Sequence, residues 1–478
     1  MATLSIDILF FIFWSFCFYK INKKCPIAVY LVKDVVCFFP PMEEDKEIIT
    51  TAIKNKDKKG KKEKEEEKQF PLRTYNPDFD LTKHIKEFLL EYDFVILMTL
   101  ISSCTFVSSQ LFKMFAKEEV QSTFLYYSII ILLCMIVYYL IRQNMYPFEF
   151  SDENKILLVF AFKTFVLSYM ITGYFSEYFD FRLEKGIKDL QKRTDQILKV
   201  TGNRYIYSYD SFYIGLSVLS SLISLTMVHL AIKFSYNFFY LNRTSQNDQE
   251  NEDPEIAKKV SVYKAMMGVN FFTPIFAIFL FIPALSKSFV VPEIMTERSF
   301  DLVRMIILLV IIILKCTMFY YELQFNFNES YFYVQSLLKN KSEKLFRYIT
   351  LKMKLKFINT WITCFQYAAM VIVPLLLVIL YMYKYFENMR APEKITYDFS
   401  EYINTLPKSE FVENELPSEG SLTDGGFISA LFKNVLRFGF IPPSLESSIY
   451  SYFIFSFYLS WSIVSTIGLL YYRKFKTV

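Results

Sequence analysis

Histidine is nearly absent from this sequence, because His84 and His229 are the two histidines in 478 residues. Enzymes that hold a metal inside a membrane need clusters of histidine or other ligand side chains, so this scarcity argues against a histidine-box enzyme. The chain also lacks G-x-S-x-G, H-E-x-x-H and a glycine-rich phosphate loop. We therefore expect a protein that is not an enzyme, with no catalytic residue, no metal site and no cofactor.

Glycine and cysteine are scarce as well. Eleven Gly and sixteen Pro stand against 52 Phe, which favours long helices over a barrel or a loop-rich fold. The seven cysteines lie mostly in or beside apolar runs without paired spacing, so they indicate neither a disulfide framework nor a zinc site. The net charge of +5 is small for this length. We expect no nucleic-acid partner.

Long apolar runs are what the sequence does contain. Its residues are 53% hydrophobic and 19% aromatic, and many runs approach the roughly 20 helical residues that cross a bilayer core. The sequence therefore predicts an all-α, polytopic transmembrane helical bundle of about nine spans, with interfacial amphipathic helices. The predicted spans are Leu4–Tyr19, Phe94–Phe115, Phe124–Ile141, Ile156–Tyr174, Phe212–Ile232, Met266–Lys287, Ser299–Gln324, Phe357–Tyr383 and Ser447–Tyr472.

Polar and charged segments divide these spans into regions. The mixed-charge run in 42–79 cannot bury enough apolar surface to fold, so we interpret it as a solvated cytosolic linker, with attraction to lipid headgroups as the alternative. The predicted regions are 1–41 (first span and an interfacial or re-entrant piece), 42–79 (linker), 80–241 (spans two to five with an amphipathic helix at 182–199), 242–264 (polar loop), 265–383 (spans six to eight with a helical hairpin extension at 330–356), 384–446 (polar loop) and 447–478 (last span and basic tail).

The distribution of basic residues predicts the orientation of the bundle. With nine spans and the N-terminus outside, the inner segments hold 33 Lys and Arg and the outer segments hold 18; Lys163 and Lys315 complete the 53. Cytosolic loops of membrane proteins carry an excess of Lys and Arg. The charge bias therefore predicts an outer N-terminus and a cytosolic C-terminus.

Charged residues form a stripe along the seventh predicted span. Successive helical residues advance about 100°, so Asp301, Arg304, Lys315 and Glu322 fall within about 60° of one another. A charge at the centre of a membrane helix costs about 2.5–3.5 kcal/mol on insertion scales, so this face should turn away from lipid. It is either a structural polar seam between helices or a pathway for an ion, an anion or a lipid phosphate, unless the pattern is accidental.

Lys163 is a second basic residue at hydrocarbon depth, near the middle of the fourth predicted span. Such a lysine either extends its side chain to the headgroups or lies in the bundle interior. We expect the interior position, in one polar cavity with Lys315. No acidic residue stands at the same depth, so the expected partner is an anionic lipid or a small anion. The alternatives are that water, tyrosine hydroxyls, Gln110, Gln366 or backbone carbonyls satisfy the ammoniums, or that burial leaves the lysines neutral.

Several other residues would support this polar cavity. Asn270 and Pro274 interrupt the sixth span, and Gln366 and Tyr367 interrupt the eighth. Glu297 stands at the start of the seventh span, where a carboxylate suits the helix dipole and where Thr296 or Ser299 can cap the helix.

The region from Met266 to Gln324 resembles the transmembrane protein 161 family of eukaryotic multi-pass proteins. The resemblance is carried by NFFTP (from Asn270), by MTERSFDLVR (from Met295) and by the basic residue Lys315. Further matching pieces are FAFKTFVLSYM around Lys163, YFDFRLEKG from Tyr178, FQY from Phe365, and STIGLLYY near the C-terminus. The resemblance implies a eukaryotic endomembrane or plasma-membrane protein without established enzymatic chemistry, linked to the regulation of ion currents or to stress responses.

Three functions remain open at this point. The first is a regulator of ion flux, or a transport-associated protein, that uses a charged intramembrane cavity. The second is a structural or assembly subunit whose charges bind other membrane protein subunits. The third is a lipid-modifying or lipid-binding protein, which the missing catalytic motifs disfavour.

Overall fold

The computed structural model describes most of the helical part of the chain. It describes residues 6–24, 27–32, 35, 37–38, 74–75, 86–116, 123–145, 152–199, 209–247, 254–290, 295–339, 345–390 and 441–475. Apart from residues 74–75, the predicted linker at 42–79 lies outside these residues. Most of the polar segment 384–446 lies outside them as well.

The described chain is helical apart from one very short strand pair. The helices are α1 (Ile6–Lys24), α2 (Ile27–Tyr30), α3 (Lys86–Ala116), α4 (Phe124–Met145), α5 (Asp152–Gly173), α6 (Leu183–Lys199), α7 (Tyr209–Asn247), α8 (Pro254–Phe279), α9 (Pro283–Phe289), α10 (Glu297–Lys339), α11 (Leu345–Arg390) and α12 (Pro443–Phe475). A 3₁₀ turn spans Ser176–Tyr178. The antiparallel strands β1 (Cys37–Phe38) and β2 (Thr74–Tyr75) pair Cys37 with Tyr75 and Phe38 with Thr74.

Seven of the described helices contain a stretch long and apolar enough to cross a bilayer, so the chain is a multi-pass membrane protein. These stretches are Glu91–Phe115, Phe124–Gln143, Tyr209–Phe239, Ser261–Phe279, Glu297–Asn326, Thr363–Glu387 and Pro443–Lys474. The two further predicted spans correspond to α1 and α5. Helix α1 carries Asp7 and three lysines in 19 residues, and the apolar part of α5 is the shorter Leu157–Gly173.

Helices α7, α11 and α12 form the centre of the bundle. In the most apolar stretch of α11, 89% of the residues are buried. Helix α12 packs extensively against both α7 and α11. Serine hydroxyls meet across the α7–α12 contact: Ser224 lies 2.6 Å from Ser460, and Ser235 donates to the carbonyl of Ser465 at 2.8 Å. Small residues let membrane helices approach closely, and their hydroxyls link the backbones.

The segment expected as an interfacial amphipathic helix at 182–199 is helical from Leu183. Its apolar residues Leu183, Ile187 and Leu190 are buried within the protein rather than against lipid. A position along the membrane surface stays a prediction. Ile187 and Leu190 pack with Leu445 at the start of α12, and the tyrosine and phenylalanine side chains at the start of α7 cover them. Gly186 makes this contact possible, because a Cβ there would lie 2.7 Å from the Cα of Leu445.

Helices also extend into segments that the sequence suggested were loops. Helix α7 continues to Asn247 and α8 begins at Pro254, inside the expected loop 242–264. Likewise α11 continues to Arg390 and α12 begins at Pro443, inside 384–446. A helix that is already nucleated satisfies each added backbone group locally, so it can continue beyond its apolar run. The hairpin predicted at 330–356 corresponds to the end of α10 at Lys339 and the start of α11 at Leu345.

Candidate functional site: the charged face of helix α10

The charged stripe predicted on the seventh span lies inside the bundle. Asp301, Arg304, Lys315 and Glu322 are each at most 6% exposed. The helix that carries them begins where the Thr296 hydroxyl accepts a hydrogen bond from the backbone N–H of Ser299 at 3.2 Å, which is an N-cap contact. Glu297, in the first turn, is exposed and takes no part in the buried stripe.

Arg304, near the start of α10, is bonded on all sides. Its Nη2 lies 2.7 Å from the Asp180 carboxylate, and its Nη1 lies 3.3 Å from Asp301. Its Nε donates to the carbonyl of Leu280 at 3.1 Å. The guanidinium carbon lies 5.1 Å from the ring centroid of Phe281, so the cation also contacts an aromatic face. This buried cation has both charge compensation and hydrogen-bond acceptors.

Arg182 completes a guanidinium–carboxylate network, which we define as Asp180, Arg182, Asp301 and Arg304. Its Nη1 lies 3.0 Å from Asp301, and its Nε lies 3.2 Å from Asp180. Burial lowers the pKa of Arg182, but the carboxylates of Asp301 and Asp180 outweigh burial, so the pKa lies above its ordinary value. Two cations and two anions leave the network without formal net charge.

The turn before α6 places Asp180 and Arg182 in this network. The Asp180 amide donates to the carbonyl of Phe281 at 2.9 Å, which ties the turn to the end of α8. Arg182 has a φ of 58°, in the left-handed region that a non-glycine residue rarely adopts. Its carbonyl accepts the Gly186 amide at 3.1 Å, the first bond of α6. Sequence reasoning missed both residues as site members; the alternation of charged and aromatic residues in YFDFR was the available signal.

Deeper along α10 lies a second group, the Lys315 cluster, which we define as Asn270, Lys315, Glu322 and Trp461. The Lys315 ammonium donates to Asn270 Oδ1 at 2.7 Å, while Asn270 Nδ2 donates to the Glu322 carboxylate. No direct ion pair joins Lys315 to Glu322 among the described residues, because the Asn270 amide stands between them. The ammonium also lies 5.0 Å from the ring centroid of Trp461.

A small cavity adjoins the Lys315 cluster and has room for about one water molecule. It is lined by Asn270, Lys315, Phe319, Glu322, Tyr367, Met370, Val371 and Trp461. The indole N–H of Trp461 is buried, and no acceptor for it lies among the described residues. Gln366, the neighbour of Tyr367 on α11, is buried but is not part of the cavity wall.

A proline follows one turn after a cavity residue on both α8 and α11. Pro274 has no N–H, so the carbonyl of Asn270 loses its normal helical donor. The Thr273 hydroxyl replaces that donor, at 3.2 Å from the Asn270 carbonyl. Pro374 stands in the same relation to Met370 on α11. Of the expected supporting residues, Asn270 thus belongs to the Lys315 cluster, and Pro274 lies one turn further along α8.

Lys163 does not join the other charged residues. We expected it to share one interior cavity with Lys315, and this was wrong, because its side chain is exposed on the outer side of α5. Apolar residues are spread almost evenly around α5, so the sequence did not reveal which side of this helix packs against the bundle.

Two further ion pairs lie largely buried between helices that the sequence did not connect. Lys384 pairs with Glu446 at 2.6 Å, and the Tyr126 hydroxyl donates to the same carboxylate at 2.8 Å. Lys113 lies 3.6 Å from Asp7, which is fully buried at the start of α1.

Within the described part of the chain, no group of three or more His, Cys, Asp or Glu residues could hold a metal ion.

Comparison with known proteins shows the family of this chain. The model of a family described as predicted transmembrane protein 161AB matches residues 2–476. No solved structure matches the chain.

Proposed function

The chain belongs to the predicted transmembrane protein 161AB family and is a multi-pass membrane protein; from this premise we propose that it regulates ion flux across its membrane. The Lys315 cluster is the part of the molecule to which we assign this role. The proposed role is not enzymatic and needs no cofactor.

The observation that carries the proposal is the incomplete pairing of two buried charges. Lys315 is 5% exposed and Glu322 is 6% exposed, and a neutral amide separates them. Ionisable residues inside a membrane are costly and typically mark ion or substrate pathways. A purely structural seam would be expected to resemble the guanidinium–carboxylate network, in which each cation contacts both carboxylates.

The size of the cavity favours regulation over conduction by this chain. Space for about one water molecule beside Lys315 and Glu322 does not accommodate a column of hydrated ions. A charged site of this size responds to a local change, such as the movement of α8 against α10, rather than carrying a current. Pro274 supports this interpretation, since helices bend where a proline removes a hydrogen bond.

The second candidate function is a structural or assembly subunit. It is favoured by two sets of ion pairs that join separate parts of the chain inside the bundle, the guanidinium–carboxylate network and the contact of Lys384 with Glu446. If the protein is such a subunit, the Lys315 cluster has a structural role alone and holds helices together.

Charge deletion on both sides of the cluster separates the two candidates. We expect Lys315→Met and Glu322→Gln each to lower abundance, because each leaves an uncompensated buried charge. The double variant leaves neither charge, so abundance should recover. Ion current in cells that express each variant is then the measurement. Loss of current modulation in the double variant at recovered abundance is the expected result.

The controls are Leu314→Met, next to the cluster on a partly exposed position, and Lys287→Met, an exposed charge on α9. Both should behave as the wild type does. A double variant that recovers abundance and also modulates current normally would reject regulation through this cluster and favour the structural subunit.

We also propose nine crossings, with an outer N-terminus and a cytosolic C-terminus. Contacts at both ends of α1 support its crossing, since Asp7 meets Lys113 and Asn22 donates to Asp93 at 2.9 Å. Helix α5 packs along α7, which is long enough to span. Protease protection of a C-terminal tag in sealed vesicles tests the orientation; a lumenal tag would overturn it.

A further inference from the structure

An exposed lysine lies inside the short apolar stretch of α5. That stretch, Leu157–Gly173, is 17 residues long, or about 25 Å at 1.5 Å per residue. The hydrocarbon core of a bilayer is about 30 Å thick. Phe162 and Val166 are exposed beside Lys163, so the lysine lies on a surface that otherwise suits lipid chains.

The charge of Lys163 is not compensated within the described protein. No carboxylate of the described residues forms an ion pair with it, and its ammonium lies 6.0 Å from the ring centroid of Phe160. Phe160 stands one turn closer to the N-terminus of α5, so the side chain points toward that end of the helix. This is the direction in which helical side chains lean.

The depth of Lys163 brings its ammonium close to the headgroups. Its backbone lies six residues, or about 9 Å, beyond Leu157, and its four-carbon stem extends back toward that level. Thinning of the bilayer is one of the ways in which a membrane accommodates a helix shorter than its hydrocarbon thickness, and it moves phosphates inward. Both effects bring a lipid phosphate and the ammonium toward the same level.

We propose that Lys163 binds the phosphate of an anionic phospholipid in the leaflet at the N-terminal end of α5. The negative phosphate complements the exposed cation, and the exposed apolar residues Phe162 and Val166 accommodate the acyl chain. The short apolar stretch favours a lipid over a neighbouring helix with a carboxylate, because thinning supplies a phosphate without any partner protein. This site is separate from the Lys315 cluster, and its test does not depend on ion flux.

Photocrosslinking to a lipid probe tests the site. The purified full chain is placed in phosphatidylcholine vesicles that contain phosphatidic acid with a photoreactive group near its headgroup, and crosslinked peptides are quantified by mass spectrometry. We expect crosslinks on α5 that fall about fivefold in Lys163→Met and in Lys163→Gln, the effect of about one cation near an anionic surface. Lys163→Arg should retain them.

Lys287→Met, which removes an exposed lysine from α9, is the matched control and should leave the α5 crosslinks unchanged. Equal crosslinking of α5 in the wild type and in both neutral variants would overturn the proposal. Displacement of the probe by inorganic phosphate would overturn it in favour of a free-anion site. Displacement by a polyleucine helix with a central Asp would overturn it in favour of a protein partner.

Discussion

The two buried charge groups of α10 differ in how completely their charges are paired. In the guanidinium–carboxylate network, Arg182 and Arg304 each reach both Asp180 and Asp301 at 3.3 Å or less. In the Lys315 cluster, one ammonium and one carboxylate share a single amide bridge, and a small cavity lies beside them.

This difference follows from the elements that surround each group. The network lies where the turn before α6 and the end of α8 meet the first turns of α10, so loop backbone and two planar guanidinium groups supply several bonds. The Lys315 cluster lies between the middle parts of packed helices, whose backbone groups are already bonded within each helix. Side chains alone must satisfy the charges there. The comparison teaches that one stripe can be fully ion-paired at one end and joined by a single amide bridge at the other.

The largest expected effect is the loss of Arg304. Arg304→Met leaves the Asp180 and Asp301 carboxylates with one cation, and breaking a buried pair costs about 3–5 kcal/mol. Thermal and denaturant unfolding of the purified protein in detergent should show a clear drop in Tm and in the free energy of unfolding.

The matched control for this loss is Glu184→Gln, which breaks a pair with Lys188 in which both side chains are more than half exposed. It should leave Tm unchanged, since exposed pairs contribute little. If Arg304→Met unfolds at the same Tm as the wild type, the network has no structural role.

A smaller effect is expected from the loss of the bridge in the Lys315 cluster. Asn270→Ala removes both hydrogen bonds that join Lys315 to Glu322, and a bond to a charged group contributes about 1.5–3 kcal/mol. Part of that loss should be recovered, because the smaller side chain allows water or a direct ion pair between the two charges. The free energy of unfolding in denaturant is the measurement.

Phe272→Leu, a change at an exposed position two residues further along α8, is the control for the bridge and should have little effect. Asn270→Ala should lower the free energy of unfolding less than Arg304→Met does. An equal loss would show that the Lys315 cluster is as structural as the guanidinium–carboxylate network.

The smallest expected effect concerns Tyr381 on α11, a buried tyrosine whose hydroxyl interacts electrostatically with Arg304. Tyr381→Phe removes one polar neighbour from a guanidinium that keeps both carboxylates, so we expect a loss of about 1 kcal/mol. Denaturant unfolding beside Tyr138→Phe, a change on the exposed side of α4, measures it. A loss as large as that of Arg304→Met would show that the hydroxyl, not the carboxylates, dominates the network.

Much of the architecture was determined by the sequence. Apolar runs of bilayer length predicted helical spans, and seven of them are present as long apolar helices. The 3.6-residue period placed Asp301, Arg304, Lys315 and Glu322 on one side of a helix, and the structure buries all four. Periodicity succeeds here because a helix is a local structure, and a stripe that lipid cannot accept has to turn inward.

The tertiary structure decided which charges meet. Asp180 and Asp301 lie 121 positions apart, as the numbering of the chain shows, and no local rule pairs both with Arg304. The structure also placed Lys163 outside the bundle and covered the apolar side of α6 with α12. A helical period shows that a residue shares a side with others, but what packs against that side depends on helices distant in sequence, and that information exists only in the assembled bundle.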